Sequence, residues 1–243
     1  MRHSTSARRT LAATAAGGLV TAAACVGLAS PAAAATPAAK VQATVQTTFS
    51  IGSGACTLSS AGTSAAQIVT NQTTGTKKFS RTASATATAT NNMDPGDKVG
   101  FAATNTVVGS VSAAGGAFTA LSATLTQNAK ITPTLGLGTD CDPEITEVSV
   151  VQAVVHIKRA GKVTINATTP ASVLLAQVAF MGADGSSIDV GYQRRGFHTT
   201  TRAVKPGDYA VQLQTVTEAM FDDPVFSFEE SGRTTFKLTY KKS

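Results

Sequence analysis

The sequence predicts an all-β protein, with two β-sandwich domains, jelly-roll or Ig-like, behind a cleaved signal peptide. Three observations carry that expectation. Apolar and polar residues alternate with period two in segment after segment. Pro-Gly-Asp and Gly-rich turn sequences punctuate those segments. No stretch shows the 3.6-residue apolar stripe of an amphipathic helix.

The leader comes first. Arg2, Arg8 and Arg9 stand in a start that holds no acid. A small-residue apolar stretch runs from Leu11 to Leu28, followed by Pro31 and four alanines at 32–35. This is a basic n-region, an h-region and an A-x-A cleavage site. Cleavage is expected after Ala35, making Thr36 the first residue, with Ala33 and Ala34 as alternative last residues of the leader. Gly and Thr interrupt the apolar stretch, and alanine is too weakly hydrophobic to hold a membrane span. Cys25 has Ala22 at the third position upstream, where a lipoprotein signal would have Leu. The leader's composition is similar to those of exported proteins from high-GC bacteria. The expected location is secreted, either extracellular or at the cell surface, with no membrane span in the mature chain.

Charge and cysteines narrow the classes. Removing the leader takes three of 20 basic residues and none of 14 acids, leaving a net charge of +3 on 208 residues. Spread over the whole chain, that charge makes no case for nucleic acid. Cys56 and Cys141 remain, an even count that in an exported chain reads as a disulfide.

The strands follow in order. Val41, Ala43, Val45, Phe49 and Ile51 alternate with polar residues, and Gly52-Ser53-Gly54 ends that run. Residues 82–90 alternate Thr or Ser with Ala, as at a sheet edge or against a crowded neighbour. Asp94-Pro95-Gly96-Asp97 turns the chain. Strand-like runs then cover 98–104, 106–112, 117–126 and 129–135. Residues 146–157 are rich in valine, and Arg159–Lys162 turns them into Val163-Thr164-Ile165 as an expected hairpin. Residues 172–181 are apolar on both faces and read as a buried strand, since Gly182 and Gly185 close the run too early for a helix. Runs at 186–192, 198–204 and 209–213 follow, and the C-terminus alternates through Phe236, Leu238 and Tyr240.

A Pro-Gly-Asp turn feeds a strand at 95–97 and again at 206–208. That spacing is about one β-sandwich. With Cys141 just before Asp142-Pro143-Glu144, the expected domains are 37–143, carrying the disulfide, and 144–243.

One resemblance belongs to the second half. Lys162-Val163-Thr164-Ile165, the Gly-Ala-Asp-Gly turn at 182–185, Lys205-Pro206-Gly207-Asp208-Tyr209 and the final Phe236–Tyr240 strand carry it. On these, residues 162–240 resemble the pre-peptidase C-terminal jelly-roll modules of secreted bacterial proteins. Residues 172–181 lack the Asp-rich strand usual in that family. The resemblance implies a non-catalytic binding or folding module.

Residues able to do chemistry are few. After the leader the histidines are His156, inside the valine-rich run, and His198. There is no Gly-x-Ser-x-Gly elbow, no His-x-x-x-His and no Cys-x-x-Cys. The chain has no Trp, the usual wall of a sugar-cleaving site. No catalytic residue and no cofactor is expected. Asp184 and Asp189 form a calcium candidate around a turn, without EF-hand spacing. The densest cluster of binding-type side chains is Tyr192, Arg194, Arg195, Phe197 and His198, bracketed by Gly191 and Gly196. Two arginines there point to an acidic partner, a cell-surface polymer or a protein face. The expected function is a non-enzymatic binding or surface-interaction module. A secreted hydrolase with an unrecognised site, or an inhibitor of extracellular enzymes, is the alternative.

Overall fold

The structure is a computed structural model that describes residues 36–52, 54–71, 73–134, 141–170, 173, 175–182, 187–192, 196–220 and 227–243. Among these, the strands in chain order are β1 (Ala39–Ile51), β2 (Cys56–Leu58), β3 (Gly62–Asn71), β4 (Gly75–Asn91), β5 (Lys98–Ala114) and β6 (Ala117–Pro133). Then come β7 (Pro143–Ile157), β8 (Gly161–Thr169), β9 (Leu175–Gly182), β10 (Ser187–Tyr192), β11 (Gly196–Val204), β12 (Gly207–Met220) and β13 (Phe228–Lys242). No helix among the described residues is long and apolar enough to cross a membrane.

Period-two alternation makes these segments strands with one buried and one solvated face. β1 shows it plainly: Val41, Ala43 and Val45 are buried, while Gln42, Thr44 and Gln46 lie between them on the other face. The strands form two antiparallel sheets packed face to face, an all-β sandwich. The six-stranded sheet has the order β10-β9-β12-β7-β1-β3, and the seven-stranded sheet has the order β11-β8-β13-β6-β5-β4-β2.

That order overturns the expected division at 143/144. β7 pairs on one side with the whole length of β1 and on the other with β12. In the other sheet β13 pairs with β6. Each sheet therefore takes central strands from both halves of the sequence, and residues 36–243 form one compact unit. The two Pro-Gly-Asp turns feed strands of different sheets, β5 and β12. The expected hairpin across Arg159–Lys162 is also absent. β7 and β8 belong to opposite sheets, so that turn crosses the sandwich.

The disulfide is the expected one. Cys56 on β2 joins Cys141 just ahead of β7, with Cα atoms 5.5 Å apart. It ties the edge of the seven-stranded sheet to the start of a central strand of the other sheet.

The core is split. One apolar cluster includes Val41, Val107, Leu121, Val151, Phe180 and Phe236. A second includes Phe49, Phe101, Ile131 and Ile145 with the cystine. Between them lies a buried polar belt: Thr47, Asn105, Gln127, Glu147, Ser149, Thr215, Thr217 and Thr234. Register explains the belt. Thr47, Glu147 and Thr217 form one row across β1, β7 and β12. Asn105 and Gln127 are partners on β5 and β6 of the facing sheet.

Candidate functional site

Charge is sorted between the two solvated faces. On the seven-stranded sheet the outward positions, all exposed, include Lys78, Lys98, Lys130, Lys162, Arg233, Lys237 and Lys241. The acid described on that face is Glu229, opposite Lys130. The outward face of the other sheet carries Glu144, Asp208 and Glu218 against Lys40 and His156. His156 Nδ1 lies 2.7 Å from Asp208 Oδ1. Glu218 is raised above the ordinary carboxylate range by burial and then by the nearby Glu144 charge.

The basic face is also lined with hydroxyls. Threonine fills outward strand positions well because its branched carbon suits the pleat while its oxygen stays wet. Cross-strand hydroxyl pairs recur over the sheet: Thr76 with Ser112 at 2.8 Å, Thr82 with Thr106 at 3.1 Å and Ser84 with Thr104 at 3.2 Å. Ser110 pairs with Ser122 at 3.0 Å and Thr164 with Thr201 at 3.0 Å. These bonds orient the hydroxyl groups and leave acceptor positions free.

A shallow depression of about 330 Å³ opens on this face. Small side chains make its floor: Ser84, Thr86, Ala102 and Thr104, with Asn128 beside them. Lys130 and Glu229 stand at it 4.0 Å apart, with half or more of each side chain exposed. Such a pair contributes little to stability and is easily broken by a competing ligand.

The expected binding segment is only partly described. Tyr192 ends β10 at the edge of one sheet, and Phe197 and His198 begin β11 at the edge of the other. Arg194 and Arg195 lie outside the described residues, as do Asp184 and Ala35. Phe197 is 68% exposed, while His198 is half-buried. As neighbours in a strand they point to opposite faces, so they do not make one surface together. Asp189 pairs in register with Ala179 on β9. Among the described residues no three His, Cys, Asp or Glu side chains gather as a metal site.

Among the described residues, the belt holds the carboxyl with the largest shift. Glu147 is fully buried, and neither carboxyl oxygen has a hydrogen-bond partner. Burial pushes its pKa up to about 8. An approach by the Asn128 backbone amide, short of hydrogen-bond geometry, opposes that rise, and the Glu230 charge adds to it. Glu230 is itself raised by burial. At neutral pH Glu147 is a neutral acid between the sheets. Sequence reasoning missed it, though its inward parity with Ile145 and Val151 on β7 was a usable signal.

No family model matches the chain, and no curated protein matches it. One solved structure it is similar to is the enzymatically active domain of bacteriophage CBA120 tailspike protein 4, at 9% identity and a TM-score of 0.23. The likeness covers 68% of this chain and 19% of that one, so the chain spans about a fifth of that structure's length.

Proposed function

We propose that this protein is an exported, non-enzymatic binding module whose outward seven-stranded face docks an anionic, hydroxyl-rich polymer of the cell surface. The observation that carries this reading is the sorting of charge. Lys78, Lys98, Lys130, Lys162, Arg233, Lys237 and Lys241 share one face with Glu229, while Glu144, Asp208 and Glu218 lie on the other. A net charge of +3 understates such a face, because a one-signed surface attracts an opposite polymer whatever the total. The ordered hydroxyls and Asn128 supply directional bonds to a polyol, and the open depression suits a chain that runs across the sheet.

Glu229 is the carboxylate of that depression, and glycoside cleavage asks for two. This favours binding over hydrolysis there. Export is part of the proposal: the disulfide fits an oxidising compartment, and the leader ends where the compact unit begins. N-terminal sequencing should find Thr36, or a residue within two of it, as the mature start.

The test is retention of the protein on isolated anionic and neutral cell-wall polymers over a salt series. Retention should be confined to the anionic polymers and weaken steeply with salt. Equal retention on neutral polymer, or none on either, would remove the reading.

A further inference from the structure

Gln127 and Thr217 meet in the belt, inside the sandwich. Thr217 Oγ1 donates to Gln127 Oε1 at 2.6 Å, and Gln127 Nε2 donates to the backbone carbonyl of Glu147 at 2.8 Å. Those two bonds fix which end of the carboxamide is nitrogen. Glu147 is the register partner of Thr217 on the neighbouring strand, so their β-carbons lie about 4.5–5.5 Å apart on one inward face. All three side chains are buried, and the Glu147 carboxyl is unpartnered. Register and these two bonds thus put a hydroxyl, a carboxamide and a buried carboxyl on neighbouring inward positions of the belt. Packing alone gives no reason for the carboxyl, since burying an unpaired acid is costly and an apolar residue would be cheaper.

We propose that Gln127 and Thr217 join as an intramolecular ester, formed by the folded protein itself with Glu147 as the acid–base group. The Thr217 hydroxyl turns from Oε1 toward Cδ of Gln127 and attacks it. The Cδ–Oγ1 bond forms and the Cδ–Nε2 bond breaks. The hydroxyl proton passes to one Glu147 oxygen while the proton on its other oxygen goes to the departing nitrogen. One ammonia leaves, Glu147 ends protonated as it began, and no oxidant or reductant is needed. Glu147 must start neutral for this shuttle, and burial keeps it so at neutral pH. Fixed geometry replaces a bimolecular encounter, and exclusion of water protects the ester from hydrolysis.

The belt contains its own control. Ser149 donates to the Asn105 carboxamide oxygen, a second hydroxyl–carboxamide pair. Both Asn105 N–H groups are held, by the carbonyls of Gln46 at 3.0 Å and Val148 at 2.9 Å. The register partners of Ser149 are Val45 and Thr215, neither of them an acid. That pair stays a hydrogen bond. The ester would tie β6 to β12, one from each sheet, as a second covalent clamp besides the cystine.

Intact-mass measurement on folded, unreduced protein from the full-length gene tests this. The mass should fall below that of the observed chain by the cystine hydrogens and one further ammonia. Acidic peptide mapping should recover the Gln127 and Thr217 peptides joined, and mild base after denaturation should separate them, leaving glutamate at 127. Thr217→Val and Glu147→Gln should retain the ammonia, while Ser149→Ala should still lose it. Folded wild type at the full mass would overturn the proposal, as would an ammonia loss mapped to another residue. If the variants fail to fold, the wild-type mass and map decide alone.

Discussion

Asn105 on β5 reaches across the sandwich to hold the carbonyl of Val148 on β7 at 2.9 Å. The same amide group bonds the Gln46 carbonyl on β1, and its oxygen accepts from Ser149. One side chain therefore pins three strands of two sheets at mid-core. Asn105→Ala removes all three bonds and opens a cavity, so it should destabilise the whole unit by about 2–4 kcal/mol. Urea unfolding checks this, and a loss under about 1 kcal/mol would show that water replaces the amide.

Glu147 makes stability depend on pH. Its pKa rises from 4.5 to about 8 on folding, so between those values the folded state holds a proton that the unfolded state has lost. Stability contributed by this group is fully present below about 4.5 and is lost as pH rises toward about 8, by about 1.4 kcal/mol per pH unit. The raised Glu218 and Glu230 act in the same direction. Unfolding free energy measured across that window should fall in wild type and flatten substantially in Glu147→Gln, the slope being the readout. A flat wild-type profile would place Glu147 in contact with water.

The cystine should stabilise one cooperative unit. It closes a sequence separation of 85 residues, worth at most about 4–5 kcal/mol in the loop-entropy view. Reduction should lower the midpoint of a single calorimetric transition. Two transitions, one unmoved by reduction, would restore the division at 143/144.

Gly109 is set by close approach. A Cβ there would stand 2.3 Å from the Phe79 ring and 2.4 Å from the Ser122 carbonyl oxygen. Gly109→Ala should cost about 1–3 kcal/mol. Phe79→Leu should not rescue it, because the carbonyl belongs to the main chain. Thermal melts of the single and double variants check both statements.

Much of the sandwich was legible because alternation reports which face is buried. The expected strands break where that signal fails. Residues 98–104 and 106–112 are one strand through Asn105, and the runs from 117 are continuous through Gln127 and Asn128. A polar residue at an inward position looks like a strand end, yet Asn105 and Gln127 belong to the belt. β3 was missed because few of its side chains are deeply buried and its Ile68 is 57% exposed. The division into halves failed for another reason: pairing of β7 with β1 is a long-range choice that no local pattern records. The charged face was hidden likewise, since cations far apart in sequence share a surface only once register is known. Their common outward parity along β8 and β13 was the available clue.

Binding after charge reversal on one face tests the account most directly. Lys130→Glu/Lys237→Glu alters the basic face, and Lys40→Glu alters the opposite one. Retention on an anionic cell-wall polymer at low salt should fall more than tenfold for the double variant and stay at the wild-type level for Lys40→Glu, all three proteins melting alike. Unchanged retention by the double variant, at an unchanged melting temperature, would contradict the assignment of that face.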